Sequence, residues 1–318
     1  MKRLKLALVV MSLFLSILGL VACSSKENNT KDKKLKITLV LDKGGVNDES
    51  FNQSAWAGAK EAEKKYGVEI NYIESKEDSE YKTNIETAVD QGTDLVIGVG
   101  FKLADAIKEA AGYYPGQNFA IIDGSYDKIP SNVRSLLFNE QEAGYLSGLI
   151  AAKVSKSDKF GFIGGMDIPS VSNFAVGYEK ALKEVNPNAQ LITQYANSFT
   201  DSAKGKAIST KMYTSGIDII FTAGGGVNSG VYESGKELSK LAVAVDLPQN
   251  RIAPDTILTS ALKNVGTGVE LTIKDLVDNK FKGGEVAMFD ISNGGVGYEK
   301  TNLIPQDVVN FVESKIKK

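Results

Sequence analysis

The sequence predicts an α/β protein built as two similar lobes, each a parallel sheet with helices on both faces. Three observations carry this. Short runs rich in β-branched residues alternate with amphipathic stretches of helix length, the pattern of parallel strands joined by crossover helices. The alternation occurs twice along the chain. Finally, runs such as Leu95-Val96-Ile97 and Ile219-Ile220-Phe221 are apolar without a break, as expected where a parallel sheet is covered on both sides.

The first set of strand-like runs falls at residues 35–42, 68–74, 94–100 and 119–124, with helices expected over 50–66, 81–91 and 102–112. The second set falls at 160–165, 191–196, 218–224 and 241–246, with helices expected over 171–185, 201–214 and 228–239. The folded part begins near Leu35, leaving roughly 280 residues, enough for two lobes of ~100–200 residues each. Two such lobes imply a cleft. Open parallel sheets bind ligands outside the carboxyl ends of their strands, so those ends should be polar or glycine-rich. They are: Asp42-Lys43-Gly44-Gly45-Val46-Asn47-Asp48, Asp123-Gly124, Gly164-Gly165-Met166-Asp167, Gly224-Gly225-Gly226, Asp246, and Ser260-Ala261-Leu262-Lys263. Any one of these loops is explained by turn and cap chemistry alone; six in the expected places point to a binding cleft.

The amino terminus is of another kind. Lys2, Arg3 and Lys5 precede an uncharged stretch from Leu6 to Ala22, the n-region and h-region of a secretory signal. It is about as long as a short membrane span of roughly 17–25 residues, but Ser12, Ser16 and Gly19 weaken it as one. It ends in Leu20-Val21-Ala22-Cys23, which resembles the lipobox of bacterial lipoproteins. That resemblance implies a signal peptide over 1–22, cleavage before Cys23, and acyl chains on that cysteine; one chain alone anchors marginally. Residues 24–34 are polar and read as a flexible tether. The product is expected at the extracytoplasmic face of the cell membrane.

Composition excludes several functions. Loss of residues 1–22 removes three cations and takes the formal charge from −2 to −5. A mildly acidic protein is poorly suited to nucleic acid, whose binding rests on neutralising phosphates. Cys23 is the single cysteine and there is no histidine, so no intrachain disulfide, Cys–His nucleophile or transition-metal cluster is available. Neither a Gly-x-Ser-x-Gly elbow nor a Walker-type phosphate loop occurs, and Gly224-Gly225-Gly226 lacks dinucleotide-loop spacing. We expect no enzyme activity, cofactor or metal.

The loops then become recognisable. Asp42-Lys43-Gly44-Gly45-Val46-Asn47-Asp48-Glu49-Ser50-Phe51-Asn52-Gln53 closely resembles the opening motif of the basic membrane protein (BMP) family of bacterial substrate-binding lipoproteins. Further resemblance follows in order at Ala120 to Gly124, Glu142 to Gly148, Gly161 to Pro169, Phe174, Gly177-Tyr178, Ala223 to Gly226, Asp246, Ser260 to Lys263 and Asn293 to Tyr298. It spans essentially the whole mature chain. One departure stands out. The family pattern after the later-strand aspartate is Asp-x-Asp-Gln, whereas here Asp246 is followed by Leu247-Pro248-Gln249. An acidic position is lost, which leaves the loop shape beside it open.

The resemblance implies a type I periplasmic-binding-protein fold, two doubly wound parallel-sheet lobes joined by a three-stranded hinge. The crossings are expected near Phe138, Lys263 and Glu285, giving one lobe of 35–138 plus 264–285 and a second of 139–263 plus 286–318. It also implies a monomeric receptor that binds a nucleoside, purine favoured, and delivers it to the permease and ATPase subunits of an ABC importer. Phe51 and Phe174, from opposite lobes, match the family's stacking pair, and stacking contributes about 1–3 kcal/mol per base. Asp42, Asn47 and Asp123 are matched to the base edge, and Asn52 is carried as a further contact from the opening motif. Asp246 would accept two ribose hydroxyls, Lys263 would donate to the sugar, and Gly225 and Gly226 would admit a close main-chain approach. An ionised Asp123 only accepts hydrogen bonds, which favours 6-oxopurines with their N1–H donor. The alternatives are a sugar or signalling-furanose receptor of the same fold, a nucleoside hydrolase, for which the first loop offers only Asp42, Asn47 and Asp48, and a surface adhesin.

Overall fold

Strands and helices alternate almost as the sequence predicts. A computed structural model describes residues 34–316; the expected signal peptide, Cys23 and the tether up to residue 33 lie outside them. The elements are β1 (Lys36–Leu41), α1 (Phe51–Tyr66), β2 (Glu69–Glu74), α2 (Tyr81–Asp90), β3 (Leu95–Val99), α3 (Ala104–Tyr113), β4 (Asn118–Ile122) and β5 (Val133–Phe138). There follow α4 (Glu140–Val154), β6 (Lys159–Gly164), α5 (Pro169–Val185), β7 (Gln190–Tyr195), α6 (Ser202–Thr214), β8 (Ile219–Ala223), α7 (Val227–Leu238), β9 (Leu241–Asp246) and β10 (Ile257–Lys263). The chain ends with α8 (Val265–Val277), β11 (Glu285–Phe289), β12 (Val296–Tyr298) and α9 (Gln306–Ile316).

The strands form two six-stranded sheets, ordered β11-β5-β4-β3-β1-β2 and β12-β10-β9-β8-β6-β7. One lobe repeats the strand order of the other, with β12 in the place of β11. All neighbours are parallel except β12, which runs antiparallel to β10. The central strands β3 and β8 are buried at every position, whereas the edge strands β2 and β7 are largely exposed or half-buried. That is why the central runs read as unbroken apolar stretches and the edges do not.

This is the expected type I periplasmic-binding-protein arrangement, with one boundary moved. The chain passes from the first sheet to the second after β5 and returns after β10. The third crossing does not fall near Glu285: β11 pairs with β5 from Glu285↔Arg134 to Phe289↔Phe138, so the chain leaves the first lobe only after Phe289. The apolar run Val286-Ala287-Met288-Phe289 forms this edge strand, which is absent from the elements expected above, as are β5, β12, α4 and α9. The crossing segments bind one another: Asn139 N–H donates to Phe289 O (2.8 Å) and Asn264 N–H to Gly295 O (2.8 Å).

Local chemistry positions the helices that face the cleft. Asp48 saturates the start of α1, its carboxylate accepting from the backbone N–H of Ser50 (2.9 Å), Asn52 (2.8 Å) and Gln53 (3.0 Å). Pro169 opens α5, where its missing N–H costs nothing. Helix α5 lies unusually close to α4: a Cβ at Gly177 would sit 1.9 Å from Gln141 O. Only glycine allows that approach, and it fixes how far Phe174 projects from α5.

Candidate ligand-binding site

Eight of the ten residues singled out from the sequence line one cavity between the lobes. Asp42 follows β1, Phe51 and Asn52 open α1, and Asp123 follows β4. From the second lobe come Phe174 on α5, Gly225 after β8, Asp246 at the end of β9 and Lys263 at the end of β10. They converge because each stands at a strand's carboxyl end or on the helix turn beside it. Asp123 and Asp246 occupy corresponding positions in the two lobes, and both adopt left-handed backbone, with φ of 60° and 67°. Such conformations are uncommon outside glycine and concentrate at functional sites.

Two expected contacts are not part of the lining. Asn47 is exposed, because Val46 is drawn aside by its N–H bond to Glu74 Oε1 (2.8 Å) and the loop turns Asp48 to the cavity instead. Gly226 lies one residue past the lining, its N–H donating to Phe199 O (2.8 Å). Conversely, Phe199 and Phe101 line the cavity and were not anticipated. Phe199 follows the edge strand β7 in an otherwise polar stretch, a signal of the same kind that marked Phe51.

The electrostatic centre is Lys263. Its ammonium donates to Asp123 Oδ2 (2.7 Å) and Glu140 Oε1 (2.8 Å), and all three side chains are at most 8% exposed. The rings of Phe51, Phe138 and Phe174 lie 5.5, 5.3 and 6.0 Å from it, within cation–π range. Burial opposes the charge on Lys263, but the two carboxylates outweigh it and its pKa is raised. Burial pushes the Asp123 carboxyl up, against the pull of Lys263 and with the push of Glu140. Asp246 is raised to about 7, mainly by burial; the Ser50 hydroxyl and Lys263 pull it down, and Asp48 and Asp123 push it up. Glu140, the first residue of α4, was invisible as a site residue because its partner is 123 positions away.

Among the residues that line the cavity, hydrogen bonding leaves two buried acceptors over. Asn52 Nδ2 donates to Asp42 Oδ1 (2.7 Å), so its amide oxygen is directed elsewhere. Among the described residues, Asn52 Oδ1 and Asp123 Oδ1 are buried and accept no hydrogen bond, and both residues line the cavity. Groups that give up solvent without a protein partner are costly and mark where a ligand's donors belong. No group of metal-ligating side chains occurs among the described residues, and no described helix is long and apolar enough to cross a membrane.

Paired parallel-sheet lobes around a cavity at their strand ends define a solute receptor of the type I periplasmic-binding-protein class. A family profile described as ABC transporter substrate-binding protein, PnrA-like, matches residues 35–318. The chain is 38% identical over 306 residues to the ABC transporter nucleoside-binding protein BmpA of Lactococcus lactis, covering 88% of this chain and 87% of that one. It is 36% identical to basic membrane protein A of Borreliella burgdorferi, covering 91% and 86%. Its fold is similar to a crystal structure of an ABC transporter solute-binding protein from Aeropyrum pernix, with a TM-score of 0.78 and 28% identity over 89% of this chain and 86% of that one. The chain therefore belongs to the PnrA-like, or Bmp, family of ABC transporter substrate-binding proteins, which are receptors rather than enzymes.

Proposed function

We propose that this receptor binds 6-oxopurine nucleosides, guanosine and inosine, and delivers them to the permease and ATPase of an ABC importer from a lipid anchor on Cys23 at the outer face of the cell membrane. The observation that carries the ligand is the pair of buried, unpartnered acceptors, Asp123 Oδ1 and Asn52 Oδ1. A 6-oxopurine offers an N1–H donor, and guanine adds an amino group beside it. Adenine presents an acceptor at N1 and would face a carboxylate held ionised by Lys263 at 2.7 Å.

In this reading Phe51 and Phe174 take the faces of the base, with Phe199 closing the same side as Phe174. Asp246 accepts from the ribose hydroxyls through the oxygen that Ser50 does not use, and Lys263 donates to the sugar. Asp42 acts through Asn52, whose amide it orients. Asn47 and Gly226 have no place in the pocket. Phosphorylated ligands are disfavoured. Asp42, Asp48, Asp123 and Asp246 line the cavity against the single cation Lys263, and Asp48 already occupies the amides at the start of α1. The Lactococcus lactis relative, by its name a nucleoside-binding protein, supports the ligand class.

The test is calorimetric titration of protein unfolded and refolded to strip bound ligand, using guanosine, inosine, adenosine, cytidine, ribose and guanosine monophosphate. One-to-one binding of guanosine and inosine, at least tenfold tighter than adenosine and absent for the monophosphate, is the expected result. Phe51→Ala should weaken it by about 5- to 150-fold, the equivalent of ~1–3 kcal/mol of stacking. Equal or tighter binding of adenosine would refute the 6-oxopurine assignment; no binding of any nucleoside would refute the ligand class.

A further inference from the structure

The departure after Asp246 turns out to sit at the place where the two lobes meet. Gln249 follows β9 in the second lobe and is 3% exposed. Its amide orientation is fixed from behind, because Oε1 accepts from the Tyr232 hydroxyl (2.7 Å). Nε2 must then face two carbonyls. One is Val245 O of its own lobe (2.9 Å); the other is Glu49 O of the first lobe (3.0 Å). The Gln249 backbone N–H is held by Ser260 Oγ (3.1 Å) and Glu299 Oε2 (3.0 Å). Three residues earlier, Asp246 Oδ2 accepts from the Ser50 hydroxyl, a second bond across the cleft. Between them Leu247 shares a groove with Ala57 and Gly58 of α1 and with Gly266 of α8. One four-residue segment of the second lobe thus grips the entry to α1 in the first.

We propose that Gln249 is the latch that holds the lobes closed, a positioning residue that governs how long ligand is retained without touching it. Gln249, Glu49 and Ser50 are absent from the cavity lining, whereas Asp246 belongs to both the latch and the pocket. Glu49 presents its carbonyl from a left-handed conformation (φ 54°), uncommon for a residue of its size. On the latch side, Pro248 stands where the family pattern carries an acid, and its ring fixes φ. The ligand's apparent affinity is its intrinsic affinity for the closed form scaled by the closed fraction. Loss of one net hydrogen bond across the cleft lowers affinity by about 2- to 12-fold.

The proposal is tested with Gln249→Met, which keeps volume and removes the donor, and with Ser50→Ala as a second, independent break of the grip. Guanosine, inosine and adenosine are the probe ligands, by the nucleoside reading. Expected are dissociation rates raised by the same factor of about 2–12 for every nucleoside that binds, with the preference among them unchanged. Hydrogen exchange of the ligand-free full chain should accelerate on both sides of the grip, in residues 49–58 and in 245–262. A role confined to the second lobe would loosen 245–262 alone, and a ligand contact would change the preference; either result overturns the latch. If no nucleoside binds, the nucleoside reading fails, and exchange in the ligand-free protein still decides the latch.

Discussion

Replacement of Lys263 by methionine removes the one cation from a buried cluster and is the sharpest test of how the site is held. Lys263 is 2% exposed and bonds Asp123 at 2.7 Å and Glu140 at 2.8 Å, whose side chains are 8% and 5% exposed. Methionine matches the volume, so the packing loss is small. What remains is two carboxylates facing each other without a counter-charge. Breaking a buried pair by removing one partner costs about 3–5 kcal/mol, which corresponds to a fall in Tm of roughly 6–20 °C for a domain of this size. The sign with pH follows from the carboxyls. Asp123 is already raised by burial and pulled down by Lys263, so without Lys263 it rises further. A raised carboxyl contributes stability below its unfolded pKa and loses it as pH rises through the folded value, so the defect should be largest near pH 8 and shrink toward pH 5. Thermal unfolding followed by circular dichroism at several pH values reads both effects. Glu140→Gln added to Lys263→Met should restore part of the loss, since one of the stranded charges is gone. A single variant as stable as the parent, or a defect that does not change between pH 5 and 8, would refute the account of the cluster.

Three further outcomes follow from the site. Because Asp246 titrates at about 7 in the ligand-free protein and would accept ribose hydroxyls when ionised, nucleoside affinity should fall below pH 7 by up to about tenfold per unit; Asp246→Asn should flatten the profile in titrations at pH 5.5–8. The same shift acts oppositely on the ligand-free fold, which gains stability as pH falls through 7, measurable as a rising Tm. Gly225 has φ 58°, and a Cβ there would stand 3.0 Å from Phe199 O; Gly225→Val should cost at least about 1–2 kcal/mol from backbone strain, read by urea unfolding. Finally, Cys23→Ala should release the protein from membranes into the soluble fraction without changing its affinity for nucleoside, a fractionation experiment that tests the anchor apart from the site.

Much of this protein was legible in its sequence because local rules govern it. The unbroken run Ile219-Ile220-Phe221 fits a strand covered on both faces, which β8 is, and β9 covers the expected 241–246. The doubled alternation of strand and helix fixed two lobes, and the carboxyl-end rule then placed Asp42, Asp123, Asp246 and Lys263 in one cleft before any coordinates. The failures have a common physical cause. Strand β11 is an edge strand with Val286 and Met288 exposed; its run Val286-Ala287-Met288-Phe289 is apolar, but its place at the end of the first sheet comes only from its partner β5. Asn47 and Asp48 are neighbours in one loop, and Asp48 rather than Asn47 lines the cavity, beside a loop drawn aside by Glu74 on another strand. The charge of Lys263 is balanced by Asp123 and by Glu140, 140 and 123 positions away, and Gln249 reaches Glu49 across 200. Periodicity and motif report what a residue does with its near neighbours. Which acceptors remain unpartnered, where a carboxyl titrates and what holds the lobes together are properties of groups brought together from distant parts of the chain, and only the folded arrangement of the two lobes decided them.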